Sequence, residues 1–230
     1  MRTAEPWYHA TRLAVIPLAS VYFSWRFEHL DGIPERGPAI VACTHASYLD
    51  PIANAYAVIK AGRRPRFLAK EELFRIPIVG RAMRGAGQIS VRRGAGDRRP
   101  LVRAETALRD GEVVVVYPEG TVTKRPDGLP MEGRTGAVRL SLMSGVPIVP
   151  MASWGSAAVW QKSGRGSLKP RRPVWIKVGE PLDITARRDE IDDRDALRDM
   201  TRRLMDALTV LAIDLRDRYP TRWADAGGHV

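Results

Sequence analysis

The chain is short of the residues that staple or metallate small proteins. It has one cysteine, Cys43, and four histidines. A disulfide framework and a cysteine-rich zinc site are excluded, and no H-E-x-x-H pair is present. Nothing in the cysteine usage calls for an oxidising compartment. Lysine is scarce as well, supplying only six of the 37 basic residues. The N-terminus lacks a run long enough to span a bilayer: Leu13–Trp25 is 13 residues without a charge, bounded by Arg12 and Arg26 and interrupted by Pro17. A spanning helix needs about 20 apolar residues. Glu5 in the would-be n-region, and the want of an A-x-A pattern after the run, speak against a secretory signal.

What is abundant is arginine. The formal net charge is +11, and a guanidinium grips phosphate with a planar fork that lysine lacks. Nucleic acid, an anionic membrane surface or a phosphorylated small substrate would each suit such an excess, and a solvated basic surface is the plain alternative. Trp7, Tyr8, Tyr22, Phe23 and Trp25 around the N-terminal run suit a short amphipathic helix lying in a bilayer interface. A first helix packed on the domain is the other reading, and both fit on opposite faces.

Strand-like and helical patterns alternate along the chain. Arg26–Leu30, Ala39–Thr44, Arg66–Ala69, Gln88–Arg92, Val113–Tyr117, Pro147–Ala152 and Pro173–Val178 read as strands. Helices are predicted over Pro51–Ala61, Pro100–Arg109 and Arg134–Ser144, the last stopped by Gly145. In a final amphipathic helix, Leu197, Thr201, Leu204, Leu208, Leu211 and Leu215 recur at steps of four and three, on one face. The rhythm predicts an α/β fold with a mostly parallel seven-stranded sheet flanked by helices. The expected layout is an interfacial helix over 1–25, one domain over 26–219 and a flexible tail over 220–230, with Gly155–Arg172 as a loop.

The stretch Ala39-Ile-Val-Ala-Cys-Thr-His45-Ala-Ser-Tyr-Leu-Asp50-Pro51 carries the chemistry. A strand ends at His45, and Asp50-Pro51 opens the next helix, with Asp50 expected as its N-cap. In a parallel sheet such a turn lies at the carboxyl edge, where ligands bind. There Asp50 can fix the imidazole tautomer while His45 removes a hydroxyl proton. A capping aspartate beside an ordinary loop histidine is the structural alternative. Cys43 reads as a small core residue rather than an acylated nucleophile. Gly85-Ala-Gly87 and Gly94-Ala-Gly96 lack the third glycine of a dinucleotide fingerprint.

Further motifs follow in order. Ser47 stands two after His45; Phe67-Leu-Ala-Lys70-Glu-Glu-Leu73 leads to Pro77 and Gly80; Gly87-Gln-Ile-Ser-Val-Arg92-Arg93 ends in arginines. Tyr117-Pro-Glu119-Gly120-Thr121 and Val146-Pro-Ile-Val-Pro150 complete the set. Over roughly residues 39 to 151 the sequence resembles the lysophosphatidic acid acyltransferase family of glycerolipid acyltransferases. The resemblance implies His45 as general base, Asp50 as its orienter, and Arg93 with Lys70 and Arg92 on the acceptor's phosphate. Along an extended strand Arg93 shares a face with Ile89 and Val91, while Arg92 points the other way and reads equally as a surface charge. Glu119, Gly120 and Thr121 would touch the acceptor or organise backbone amides near it. The family commonly reads E-G-T-R-S here, whereas this chain has Val122 at the arginine position; Lys124 or Arg125 would then replace that charge, with Arg134 as a further basic candidate.

The resemblance implies direct acyl transfer from acyl-CoA or acyl-ACP to a lipid acceptor, most simply 1-acylglycerol-3-phosphate, with backbone amides steadying the oxyanion. Neither a metal nor a bound cofactor is expected. The expected partners are the lipid acceptor, an anionic membrane surface and an acyl carrier protein, not nucleic acid, at the cytoplasmic face of the cell membrane. Another lysophospholipid, glycolipid or amino-acid lipid would keep the chemistry and change the acceptor. A basic membrane-binding module without catalysis is the contrasting class.

Overall fold

A strand made only of apolar residues needs cover on both faces. Ala39–Cys43 and Val113–Val116 are such strands, and every residue in them is buried. In the computed structural model of the protein, which describes Leu13, Pro17 and residues 20–92, 99–159 and 170–224, these two strands lie side by side at the centre of a sheet. The first half contains β1 (Phe23–Glu28), β2 (Ala39–Cys43), α1 (Asp50–Lys60), β3 (Pro65–Lys70), α2 (Glu71–Arg75), α3 (Pro77–Gly85) and β4 (Ile89–Val91). The second contains α4 (Arg99–Arg109), β5 (Val113–Val116), α5 (Gly136–Ser144), β6 (Ile148–Trp154), β7 (Arg172–Val178), α6 (Arg194–Arg218) and α7 (Thr221–Ala224).

The seven strands form one sheet in the order β1-β7-β6-β2-β5-β3-β4. Neighbours from β6 to β4 are parallel, β7 is antiparallel to β6, and β1 is parallel to β7. The mostly parallel expectation holds, with β1 and β7 running against the other five strands. Alternation along β2 sends Ile40 and Ala42 to one face and Ala39, Val41 and Cys43 to the other. The first face packs on α4, α5 and α6, and the second on α1. All six residues of the predicted stripe on α6 are buried. Asp193 caps that helix, its carboxylate accepting from the amides of Asp195 and Ala196.

Several boundaries differ from expectation for identifiable reasons. β1 begins at Phe23, because Phe23, Trp25 and Phe27 alternate onto one face. Trp25 stacks on Phe27 and meets Tyr56 of α1 edge-on. Phe23 and Trp25 therefore belong to the sheet and not to the interfacial helix expected over 1–25. Residues 20–22 are helical, while Trp7 and Tyr8 lie outside the described residues. β6 extends to Trp154, and Arg172 opens β7, buried and donating to the Ala158 carbonyl at 3.0 Å. Most of the basic loop before it, 160–169, lies outside the described residues. The expected tail starts as the short helix α7, with Trp223 against the Leu215 and Tyr219 cluster. No helix among the described residues is long and apolar enough to cross a membrane.

The amino edge of the sheet is tied by one cation. Arg63, 9% exposed, donates to the carbonyls of Pro34, Gly37 and Gly111, joining three connections. Replacing Arg63 by Met leaves those carbonyls without their donor, so urea unfolding should show a loss of about 2–4 kcal/mol. An unchanged midpoint would mean that water serves these carbonyls equally well.

Candidate active site

At the carboxyl end of β2 the Thr44 amide still donates to Met151 in β6, and His45 follows. The Asp50 carboxylate beside it is fully buried. Its Oδ2 accepts from the Ser47 amide at 2.7 Å and lies 3.3 Å from His45 Nδ1. Its Oδ1 accepts from the hydroxyls of Ser153 at 3.2 Å and Ser156 at 2.5 Å. Asp50 is not the N-cap. That position belongs to Leu49, which makes no side-chain cap, and Asp50 and Pro51 open the helix as its first residues. The carboxylate turns inward because four fixed donors meet it there, and a negative charge in a first helical turn is favourable as well. Gly155 sets Ser156 in place: its φ is +96°, and a Cβ there would lie 2.3 Å from the Pro173 carbonyl oxygen.

His45 is held on every side except one. With Nδ1 facing the carboxylate as the proton-bearing nitrogen, Nε2 is left as the basic one. The ring stacks on Tyr117 at 4.3 Å between centroids, with Phe67 behind it. Asn54, buried in α1, donates to the Tyr117 hydroxyl at 3.0 Å, and burial pushes that hydroxyl's pKa well up, so it stays neutral. The backbone of His45 is clamped too: its amide donates to Glu119 Oε1 at 3.1 Å, and its carbonyl accepts from the Thr123 amide at 2.7 Å. The side chain keeps 13% exposure, a narrow opening toward solvent. The amides of His45, Ser47 and Leu49 are all engaged, the first by Glu119 and the other two inside this loop, so they are not donors to an oxyanion.

Glu119 organises backbone instead of facing outward. It is 4% exposed, and Oε2 accepts from the Met131 amide at 3.0 Å. Burial pushes its pKa up to about 7, against the pull of two amide donors and His45. Gly120 turns the chain with φ +69° beneath the Arg134 guanidinium, whose own amide donates to the Pro118 carbonyl. Thr121 is half-buried, and Val122 is buried. Lys124 is exposed, while Arg125 is occupied by Asp127 at 2.5 Å. Of the cations expected near the third motif, Arg134 is the one set against it.

The remaining expected residues lie on the β3–β4 flank. Lys70 ends β3, exposed and 3.4 Å from Glu72; Arg92 is exposed, 3.9 Å from Glu71. Arg93 lies outside the described residues. Thus His45, Ser47, Asp50, Glu119, Gly120 and Arg134 converge, whereas Lys70 and Arg92 stand on a rim two and three strands away. Ser153, Ser156, Asn54 and the stacking of Tyr117 on His45 escape sequence reasoning. Their one local trace is polarity where an apolar residue belongs: Ser153 late in a buried strand, and Asn54 beside Ala53 and Ala57 on a buried helix face. Among the described residues, no three His, Cys, Asp or Glu side chains come together as metal ligands.

The raised pKa of Glu119 carries a sign. Between its ordinary value of 4.5 and about 7, the folded protein holds a proton that the unfolded chain has lost. Stability from this group therefore falls as pH rises through that window and is level above it. The stability of the parent minus that of Glu119→Gln should drop by about 1–3 kcal/mol from pH 5 to pH 7.5, read by urea unfolding at each pH. A difference that stays flat would return Glu119 to ordinary carboxylate behaviour.

A family model described as Acyltransferase matches residues 24–154, more than half of the chain, from β1 to the end of β6. The chain is 30% identical over 152 residues to the chloroplastic 1-acyl-sn-glycerol-3-phosphate acyltransferase of Arabidopsis thaliana, covering 64% of this chain and 40% of that protein. It is 30% identical over 149 residues to the lyso-ornithine lipid O-acyltransferase of Pseudomonas aeruginosa, covering 64% and 51%. It spans about half the length of these curated relatives. Its fold matches the crystal structure of the 1-acyl-sn-glycerophosphate acyltransferase PlsC from Thermotoga maritima with a TM-score of 0.66 and 25% identity, over 96% of this chain and 86% of that one. With the model spanning every strand that builds the His45–Asp50 site, the chain belongs to the acyltransferase family.

Proposed function

We propose that this protein transfers a fatty acyl chain from acyl-CoA or acyl-ACP to the hydroxyl of a lysophospholipid, most simply 1-acylglycerol-3-phosphate, giving phosphatidic acid. The observation that carries the reading is the buried Asp50 carboxylate holding His45 by Nδ1 while the ring keeps one opening. His45 Nε2 takes the acceptor's hydroxyl proton as the oxygen attacks the thioester carbonyl carbon. The tetrahedral intermediate collapses, the carbon–sulfur bond breaks, and the thiolate leaves with the proton from His45. An ester and a free thiol result. Asp50 steadies the imidazolium that forms in between. The protein would work peripherally, at the cytoplasmic face of the membrane that holds its acceptor, with acyl carrier protein as one form of donor partner.

A second acceptor has a specific observation behind it. Val122, where the resemblance calls for arginine, is 3% exposed, so that position adds an apolar contact and no charge. The Pseudomonas aeruginosa relative is named for an amino-acid lipid rather than a phosphate monoester. An acceptor with a smaller anionic headgroup charge would suit Arg134 as a lone cation at the third motif.

The test is thiol release by purified protein, with a panel containing lysophosphatidic acid, a neutral-headgroup lysophospholipid and a lyso-ornithine lipid. No release with any lysolipid would sink the acyl-transfer reading. His45→Ala should cut turnover by roughly 10²–10⁴ with the fold retained, at some loss of melting temperature because the buried Asp50 loses one of its donors. Asp50→Asn should cost turnover and also stability, because two serine hydroxyls and an amide then face a neutral group that is itself half donor. Arg134→Ala should raise the acceptor's KM far more than the donor's; the opposite split would assign Arg134 to the thioester.

A further inference from the structure

The turn between α2 and α3 is apolar and uncovered. Arg75, Ile76, Pro77, Ile78 and Val79 are five consecutive exposed residues. Ile78 is 82% exposed, and Leu73, Ile76 and Val79 are 41%, 46% and 41% exposed. Single exposed hydrophobics need no explanation, but four within seven residues at one tip make a patch. The tip is built, not frayed. The Gly80 amide donates to the Ile76 carbonyl at 2.6 Å, and Arg84 donates to the Phe74 carbonyl at 2.6 Å. A Cβ on Gly80 would stand 2.1 Å from the Phe74 carbonyl oxygen, so the glycine lets the two helices close on each other.

Charge says what the tip meets. Exposed Arg75, Arg81 and Arg84 stand on the same two helices; Arg75 lies 3.2 Å from Glu71, and a cleft of about 370 Å³ beside the tip sets Arg75, Arg84 and Arg103 against that one carboxylate, a net positive lining. Apolar side chains inside an arginine collar match a bilayer interface, with acyl chains for the tip and lipid phosphates for the guanidiniums. A second copy of this chain would bring a like-charged collar against the first and be repelled. Location adds to this. β3 delivers α2 at the carboxyl edge of the sheet, two strands, or about 10 Å, from β2 and His45.

We infer that the α2–α3 tip inserts into the interface of an anionic bilayer and seats the carboxyl edge of the sheet against the lipid surface. That this surface supplies the acceptor rests on the function proposed above; the insertion itself does not.

The experiment is co-sedimentation of the full chain with phosphatidylglycerol–phosphatidylcholine vesicles. Ile78→Glu should lower partitioning by about 10-fold or more, since burying one Ile is worth roughly that factor. Val210→Glu, which adds the same charge at a 66% exposed site on α6, should bind like the parent. His45→Ala should also bind fully. A second measurement does not depend on the charged variant folding: Ile78→Cys carrying an environment-sensitive fluorophore should shift to the blue on these vesicles, the native Cys43 being buried. The inference is overturned by Ile78→Glu binding as the parent does, by a label that stays in water while the protein pellets, or by a parent dimer that Ile78→Glu dissolves with vesicle binding intact. Tip-dependent binding without thiol release on any lysolipid would defeat the functional reading alone. Thiol release with tip-independent binding would defeat the insertion alone.

Discussion

A carboxylate taken wholly out of water has to be met by fixed donors, and the site depends on how Asp50 satisfies that demand. Two donors, the Ser47 amide and His45 Nδ1, come from its own loop. The other two, the Ser153 and Ser156 hydroxyls, come from more than a hundred residues away. They reach it only because β6 lies beside β2, registered Ile40 to Ile148 and Cys43 to Met151. The strand order is thus part of the chemistry: it supplies the buried charge with partners and leaves the imidazole one orientation.

The elements were legible where a local rule and the tertiary structure agree. Four consecutive valines make a strand covered on both faces, and a leucine stripe at steps of four and three lies buried along α6. Ordered motifs single out His45, Asp50 and Glu119, and the structure brings the three together. The misreadings occur where a local rule competes with distant groups. Asp before Pro at a helix start reads as a cap, yet three hydrogen-bond donors and an imidazole elsewhere won the carboxylate. Ser153 shows only as a polar residue in a buried strand and Ser156 has no local signal, since the carboxylate they serve lies on another element of the sheet. Phe23 and Trp25 looked like interfacial aromatics because a six-residue edge strand resembles a short apolar run.

Net charge was a poor guide to where anions would be met. Much of the arginine is spent on internal ties. Arg218 joins Glu28 of β1 to Asp214 of α6, and Lys177 of β7 shares that aspartate. Arg187 holds Glu190 and Asp199, and Arg66 holds Glu112. Such pairs at the surface are worth little individually, but they draw cations away from the α6 side. The exposed arginines around α2 and α3, and Arg134 above Gly120, are what the bulk figure could not locate.

The reversed direction of β1 and β7 governs where the chain enters and leaves. Tyr22 enters the sheet at the edge that carries His45, because Phe23 pairs with Arg172 at the start of β7. Tyr219 departs along the same edge, its hydroxyl on the Pro173 carbonyl. A tag or immobilisation handle joined close to either point would start at the edge that carries His45 and would crowd that edge. The amino edge, where Arg63 gathers three connections, faces the other way. A handle placed there would leave the opening clear.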